Sequence, residues 1–181
     1  MTHRFYTRMT AIAAASFALS FAAIAVTDPL PRIVWNASAS APIGLYRIQP
    51  DRDPPLGTLV AVAPPQRLGR WMVVRGYLGE NVPLLKHVAA KAGQRVCRIG
   101  SVVSVDGRPA AVALIDDRMR RPLPVWRGCR TLGADELLLL NPAHRDSLDG
   151  RYFGPLRTAT VLGRAIPILT RTTPNAPLTW R

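Results

Sequence analysis

An uninterrupted apolar stretch near the amino terminus constrains this chain more than any other feature. Residues Met9 to Val26 are apolar or small and carry no charge, and a helix of this length crosses the hydrocarbon core of a bilayer. A buried core helix is disfavoured because the stretch is apolar on every face. We therefore predict one amino-terminal transmembrane helix.

The charges that flank the apolar stretch predict its orientation. His3, Arg4 and Arg8 precede it, and Asp28 follows it. Because basic residues remain on the cytoplasmic side of a membrane helix, we expect the amino terminus in the cytoplasm and the rest of the chain outside it.

The sequence allows two fates for this stretch. Small residues near Ala22–Ala25 suit cleavage of a signal peptide. An uncleaved anchor is favoured, because the stretch is longer than a usual signal-peptide core and Pro29–Arg32 offer a stiff exit. The predicted organisation is a cytoplasmic basic segment (1–8), a transmembrane signal anchor (9–27), an extracytoplasmic domain (28–169) and a loosely ordered tail (170–181).

The extracytoplasmic part has the pattern of a mainly β domain. Its 13 Gly and 17 Pro indicate many turns, and Asp106–Gly107 is a strong hairpin signal. A short helix is expected only within Pro65–Arg75. Short runs with strand character are Ile33–Trp35, Gly44–Ile48, Thr58–Ala63, Leu84–Ala89, Arg95–Arg98, Val102–Val105, Ala110–Leu114, Glu136–Leu140 and Ala159–Ile168.

The net charge of +13 raises the question of an anionic partner. The basic residues are scattered, and aromatic residues that could stack on bases are not interleaved with them. Nucleic-acid binding is therefore not expected. Attraction to anionic lipid headgroups is the simpler explanation of the positive charge.

Two cysteines, Cys97 and Cys129, and three dispersed histidines provide no ligand set with metal spacing, so no metal site is predicted. A disulfide is plausible if this part of the chain faces an oxidising compartment. The alternative is two unrelated buried thiols.

The lysines are a sharper clue, because 24 residues are basic and only Lys86 and Lys91 are lysines. Lysine loses its proton when it is desolvated, whereas arginine does not. Lys86 lies within the apolar run Leu84–Ala89, where burial would make it a neutral base. The alternative is an edge lysine whose stem reaches water. Lys91 precedes Ala92–Gly93, where a solvated loop is expected.

Two further stretches hold polar groups that suit catalysis. Small residues surround Ser38 and Ser40 just before Pro42, so a substrate backbone could approach a serine hydroxyl there; the alternative is an ordinary polar turn. Asp146–Pro155 combines acidic, hydroxyl, basic and aromatic groups. It is either a clamp beside an active site or a surface turn with one Asp149–Arg151 ion pair.

In this order, the three stretches resemble the motifs of the type I signal peptidase family, serine peptidases with a Ser–Lys dyad. The resemblance extends over residues 9–168 and places Ser40 on the nucleophile and Lys86 on the general base. Ser40–Tyr46 and Arg121–Cys129 are most similar to the conjugative-transfer branch, TraF. On the carboxy-terminal motif fall Ser147, Asp149, Arg151, Tyr152 and Gly154.

The resemblance implies a signal-peptidase-like β-rich domain behind a single-pass anchor in a bacterial inner membrane, with the catalytic domain in the periplasm. It implies a serine endopeptidase without a cofactor. The partner would be an exported precursor, above all a conjugative pilin, which would be cleaved and in some members circularised.

The resemblance also suggests supporting roles. Ser38 would donate to the oxyanion beside the Ser40 N–H, Ser147 would orient Lys86, and Asp149 with Arg151 would hold the loop. Two departures affect this motif: Gly150 stands where the pattern usually has Ser, and residues 141–145 (Asn-Pro-Ala-His-Arg) replace a Gly-Asp-rich approach.

Two other classes of protein compete with a peptidase. One is a non-catalytic membrane-anchored β-domain of a conjugation or secretion apparatus, against which the intact Ser40 and Lys86 argue. The other is a DNA-binding transfer protein, which the apolar stretch and the scattered charges disfavour.

Overall fold

The computed structural model describes residues 3–27, 32–173 and 175–181. The chain divides into two compact units at Pro31/Arg32. In chain order the elements are α1 (His3–Thr27), β1 (Ile33–Asn36), β2 (Ile43–Gln49), β3 (Leu59–Val62), α2 (Gln66–Val74), β4 (Leu84–Ala90), β5 (Arg95–Ile99), β6 (Val102–Val105), β7 (Arg108–Val112), β8 (Gly128–Thr131), β9 (Glu136–Leu140), α3 (Gly150–Phe153), β10 (Leu156–Arg157), β11 (Val161–Arg171) and β12 (Thr179–Trp180). The fold class is mainly β, as predicted.

The first unit contains the apolar helix α1, which is long and apolar enough to cross a membrane, although a signal sequence has the same properties. Its few hydroxyl groups bond within the helix: Thr10 donates to the carbonyl of Tyr6, and Ser16 to that of Ile12. Such bonds let polar side chains sit in an apolar medium. Because α1 begins at His3, residues 3–8 of the predicted basic segment are helical.

The second unit contains a larger antiparallel sheet in the order β1-β2-β11-β3-β4-β9-β10, with β12 paired to β11. Four consecutive leucines make β9 its most buried strand. Leu137 and Leu139 pack in one apolar cluster and Leu138 and Leu140 in another, because successive side chains of a strand point to opposite faces. Strand β9 therefore lies between two parts of the core.

A smaller sheet has the order β7-β6-β5-β8. Its β6–β7 hairpin turns at Asp106 and Gly107, which both have positive φ (48° and 78°), as a two-residue type I′ turn requires. Cys97 and Cys129 face each other on β5 and β8 and form a disulfide. The structure thus contains the tentative disulfide, not two unrelated thiols.

Close approach between β2 and β11 depends on Gly44. This residue has a φ of 147°, and a Cβ built on it would lie 2.1 Å from the carbonyl oxygen of Leu169. The pairing of β11 with β2 shifts register between Pro167 and Leu169. Only glycine fits this point, four residues after Ser40.

The carboxy-terminal segment differs from the predicted loosely ordered tail. Strand β11 continues to Arg171, beyond the expected boundary at 169, and β12 pairs back onto it. The Arg181 N–H donates to the carbonyl of Ile168 at 3.0 Å. These backbone bonds fix the end of the chain, and no hydrophobic periodicity signals them. The predicted domain start at residue 28 lies outside the described residues.

Candidate active site

The loop of residues 37–42, which joins β1 to β2, is folded around the side chain of Asn36. This side chain lies on the buried face of β1 with Val34. Its amide nitrogen donates to the carbonyls of Ser38, Ala41 and Pro42 at 2.9–3.1 Å, and its oxygen accepts from the Ser38 N–H at 3.1 Å. The side chain of one asparagine therefore bonds to four backbone groups of the loop.

Tyr46 fixes the other end of this loop. Its hydroxyl donates to the carbonyl of Pro42 at 2.7 Å. Burial raises the pKa of Tyr46 to about 12, so the group remains a donor at any physiological pH. Ala41 packs into the same apolar cluster. With both ends anchored, Ser40 is half-buried and Ser38 is exposed.

Lys86 points from β4 toward two serines. It is 4% exposed, and its Nζ lies 3.3 Å from the Oγ of Ser40 and 3.1 Å from the Oγ of Ser147. Burial lowers the pKa of Lys86 to about 8; the Asp149 carboxylate opposes this shift and the Arg151 guanidinium adds to it. The pattern-based alternative of a stem reaching water does not describe this side chain.

Lys91 has a different environment. Its side chain is 27% exposed and forms an ion pair with Asp53. The two lysines are therefore distinguished by burial: one is a desolvated amine beside two hydroxyls, and the other is an ordinary surface cation.

A buried ion pair holds the loop that carries Ser147. Arg151 Nε lies 2.8 Å from Asp149 Oδ1, and both side chains are at most 1% exposed. Asp149 also accepts the backbone N–H groups of Asn141 and Arg151, and Arg151 donates to the carbonyls of Asn141 and Arg145. With every group of the pair used, the cost of burying it is offset, and the segment is a clamp rather than a surface turn.

The departure at Gly150 has a steric reason. A Cβ at this position would lie 2.8 Å from the carbonyl oxygen of Leu139, so serine does not fit here without movement of β9. The Gly150 carbonyl accepts from the indole N–H of Trp126 at 2.9 Å, and the same indole lies 3.6 Å from the Cβ position of Gly154. Trp126, from the Arg121–Cys129 segment, thus supports α3.

Ser38, Ser40, Lys86 and Ser147 line one groove of about 890 Å³. Ser38 Oγ lies 3.2 Å from Ser40 Oγ and donates to Asn36 at 3.0 Å. Most of the remaining lining is apolar, from Met72, Leu84, Leu114, Leu123 and Leu148. Such a groove suits an extended peptide with apolar side chains, whose backbone would pass the serine hydroxyls.

Residues 71–83 and 113–123 form one wall of the groove, and hydrogen bonds join the two segments. Asp117 contacts the Tyr77 hydroxyl and accepts from Arg121 Nε at 2.7 Å. Burial would raise the pKa of Asp117, but these hydrogen bonds hold it below its usual range. Arg75 donates to the carbonyl of Pro122 at 2.8 Å. The groove is thus bounded on this side by a wall that several tertiary hydrogen bonds hold in place.

Comparison with known proteins connects this geometry to a family. The family model described as "Signal peptidase, peptidase S26" matches residues 5–170. The chain belongs to the S26 signal peptidase family. Membership supports a serine peptidase activity and gives the β domain its family assignment. The roles of Ser40, Lys86, Ser38, Ser147 and the Asp149–Arg151 pair stay predictions.

Several curated relatives of this S26 chain carry the name TraF. It is 39% identical over 146 residues to a probable conjugal transfer protein TraF of Sinorhizobium fredii, covering 75% of this chain and 76% of the relative. It is 35% identical over 148 residues to a conjugal transfer protein TraF of Agrobacterium fabrum (75% and 81%). It is 32% identical over 146 residues to a plasmid transfer protein TraF of Escherichia coli (75% and 81%).

Among solved structures, a signal peptidase I of Enterococcus faecalis V583 matches with a TM-score of 0.37 and 14% identity. The match covers 62% of this chain and 96% of that chain.

Sequence reasoning missed the two asparagines that organise the site of this S26 chain. Asn36 had a visible signal, since it follows Val34 at the two-residue spacing of a buried strand face. Asn141 was noted only as a departure from the family pattern. Which backbone groups an amide meets depends on strand register, and no local pattern in the sequence states it.

Proposed function

We propose that this chain is a membrane-anchored serine endopeptidase in which Ser40 is the nucleophile and Lys86 the general base. The observation that carries the proposal is the buried amine of Lys86, whose pKa is lowered to about 8, at 3.3 Å from the Ser40 hydroxyl. A neutral amine within hydrogen-bond reach of a serine is what nucleophilic activation requires. A non-catalytic β-domain has no use for a desolvated lysine there, which argues against that alternative.

In the proposed reaction, neutral Lys86 Nζ accepts the proton of Ser40 Oγ while that oxygen bonds to the scissile carbonyl carbon. The amine then returns the proton to the leaving nitrogen as the C–N bond breaks. Ser147 Oγ, 3.1 Å from Nζ, accepts an N–H of the amine and directs its lone pair toward Ser40. The product of this half-reaction is an ester on Ser40 and a free amine.

The oxyanion of the tetrahedral intermediate would accept from the Ser40 backbone N–H and the Ser38 hydroxyl. In the free protein the Ser38 hydroxyl donates to Asn36. Since Ser38 is exposed, rotation about its Cα–Cβ bond brings the hydroxyl to the substrate. Asn36 fixes the backbone of Ser38 through its N–H as well, so the main chain stays in place while the hydroxyl turns.

The substrate is proposed to be an exported precursor of a conjugation system, above all a pilin, because the relatives named above are conjugal or plasmid transfer proteins. Water would resolve the acyl-enzyme by hydrolysis, and the pilin's own amino terminus would resolve it by forming a ring. Helix α1 would be the retained anchor (residues 9–27), with its amino terminus in the cytoplasm and residues 28–169 in the periplasm.

The test is co-expression of the full chain with the pilin precursor of the same conjugative system. Ser40→Ala, Lys86→Ala and Lys86→Arg should each leave the precursor unprocessed on immunoblots while the protein stays in the membrane fraction. Lys91→Ala, which removes a partly exposed amine paired with Asp53, and Ser101→Ala, at an exposed position, are the matched controls and should process normally. Processing by Lys86→Arg would contradict the proposal, because a guanidinium does not act as a base.

A second assay separates the chemistry from the substrate. A p-nitrophenyl acyl ester should acylate the wild-type chain, and peptide mass spectrometry should locate the acyl group on Ser40. Acylation of Ser40 without pilin processing would retain the peptidase and overturn the pilin assignment. Absence of acylation in the folded wild-type chain would overturn the peptidase.

A further inference from the structure

Asn141 lies where β9 leaves the larger sheet beside the strand that carries Lys86. The last register pair of β9 joins Leu140 to His87. Continued in this register, the chain would place residue 142 opposite Leu85, but residue 142 is Pro142, which has no N–H to donate. The β4–β9 ladder therefore ends at the pair of Leu140 and His87 and does not include Lys86 or Leu85.

The side chain of Asn141 makes the bonds to β4 that a continuation of β9 would have made. Its Nδ2 donates to the carbonyl of Leu85 at 3.0 Å, and its Oδ1 accepts from the N–H of His87 at 3.3 Å. These are the peptide groups on the two sides of Lys86. Asn141 is 1% exposed, so neither bond competes with bulk water.

The two backbone partners also fix which way the amide points. A carbonyl only accepts and a backbone N–H only donates, so Nδ2 must face Leu85 and Oδ1 must face His87. The ring Nδ1 of His87, 2.9 Å from Oδ1, is then the protonated ring nitrogen. Aspartate has no donor for Leu85, and an apolar side chain offers neither bond. Only an amide satisfies both sides.

The main chain of Asn141 belongs to the clamp described above. Its N–H donates to Asp149 Oδ2 at 2.9 Å, and its carbonyl accepts from Arg151 Nη2 at 2.9 Å. The same residue therefore joins the peptide groups around Lys86 to the buried pair that holds Ser147. A shift of Asn141, or of the loop that carries Ser147, relative to β4 would have to break one of these bonds.

We propose that Asn141 is a positioning residue for the amine of Lys86. Its amide substitutes for the strand N–H that Pro142 lacks and fixes the position of β4 relative to the loop that carries Ser147. The proposal rests on the proposed function, because it assigns a role relative to Lys86 as base. Asn141 itself touches no reacting atom. Its effect is on the distances from Nζ to the hydroxyls of Ser40 and Ser147.

Pro142 explains why the chain needs this substitution. The His144 N–H donates to the Asn141 carbonyl at 3.1 Å, so residues 141–144 form a β-turn with Pro142 at its second position, where proline is favoured. The turn brings the chain toward Ser147 but removes a donor from the sheet edge. Asn141 restores the donor from the neighbouring position.

The test uses the full chain in detergent micelles with the p-nitrophenyl acyl ester as substrate. Asn141→Ala should lower the acylation rate constant about 10- to 100-fold while KM for the ester stays within about twofold. Asn141→Asp should also slow acylation. Lys86 already faces Asp149, Arg151 and the His87 backbone, and this variant adds a second carboxylate nearby. The added negative charge should raise the pKa of Lys86 and move the rising limb of the pH–rate profile to higher pH.

A rescue variant distinguishes positioning from general structural support. Asn141→Ala combined with Pro142→Ala supplies a backbone N–H at position 142 and should recover part of the lost rate. If Asn141→Ala does not fold, Asn141→Asp with and without Pro142→Ala gives the same comparison. Asn175→Ala and Asn175→Asp, at an exposed position of the tail, are matched controls and should behave as wild type.

Two results would overturn the inference: a folded Asn141→Ala with the wild-type rate and pH profile, or a loss of rate that Pro142→Ala does not relieve and that leaves the pH profile unchanged. Either is distinct from failure of the proposed function, which would appear as full acylation of Ser40→Ala.

Discussion

The Oγ of Ser147 lies 3.1 Å from the Nζ of Lys86, although the two residues are 61 positions apart in the chain. The Oγ of Ser40 lies 3.3 Å from the same nitrogen. A neutral amine has one lone pair and two hydrogens, so it can accept from one hydroxyl while it donates to the other. In the proposed mechanism, Ser147 therefore directs the lone pair toward Ser40.

The first prediction concerns this orientation. Ser147→Ala leaves the amine free to rotate, so we expect kcat for ester acylation to fall about 10- to 100-fold with KM nearly unchanged. Ser147→Thr keeps the hydroxyl and should lose less. Stopped-flow release of p-nitrophenol measures both. An unchanged rate in a folded Ser147→Ala would show that the amine needs no second partner.

The second prediction is a pH dependence. Burial lowers the pKa of Lys86 to about 8, and only the neutral amine acts as base. The rate constant should therefore rise about tenfold per pH unit below pH 8 and level off above it. Lys91→Ala should show the same profile, because Lys91 is a partly exposed cation paired with Asp53 and lies away from Ser40. A flat profile between pH 6 and pH 9 would rule out Lys86 as the titrating base.

The third prediction concerns stability. Lys86 has its ordinary pKa of 10.5 when the chain is unfolded and about 8 when it is folded, so protons favour the unfolded chain. The wild type should gain stability as the pH rises from 8 to 10.5. Lys86→Met should be more stable than wild type at pH 7, by up to about 3 kcal/mol.

Thermal unfolding of both chains in detergent at several pH values checks this. The difference in Tm between Lys86→Met and wild type should narrow as the pH rises above 8. A wild type that is more stable than Lys86→Met at pH 7 would mean that the lysine is not desolvated.

The fourth prediction concerns the buried Asp149–Arg151 pair. Arg151→Met leaves an uncompensated carboxylate in a site with no exposure, so it should lower the free energy of unfolding by about 3–5 kcal/mol. Combining it with Asp149→Asn should return part of this loss, because the stranded charge is removed. Denaturant unfolding of the three chains gives the comparison. Equal stability of single and double variants would refute a charge-based cost.

The mainly β fold, the apolar helix and the residues that meet in the groove were predictable from the sequence, for identifiable reasons. Short runs bounded by Gly, Pro and Asp marked β4 and the β6–β7 hairpin, and the helix within Pro65–Arg75 is α2. Ser40, Lys86 and Ser147 were found through their ordered motifs. Their distances to one another were not, because these depend on which strands neighbour each other in the sheet.

Other parts of the structure had no sequence signal of their own. All four residues of β8 are exposed. Because neither face of this strand is buried, its sequence shows no alternation of apolar and polar residues. Strand β12 pairs with β11 at two positions only, and the Thr179 hydroxyl adds a bond to the Thr170 carbonyl. The amide of Asn141 acts on residues 56 and 54 positions away, and its role follows from a register that only the assembled sheet defines.

The close approach of Gly44 to Leu169 has a consequence for how this enzyme family can diverge. A side chain at position 44 is incompatible with the present path of β11, whereas Leu169 and Thr170 contribute only backbone atoms to the contact. This contact therefore constrains the side chain at position 44 and places no constraint of its own on the one at 169. Lineages that lose this glycine should also have rebuilt the irregularity between Pro167 and Leu169, so the two sites should change together or not at all.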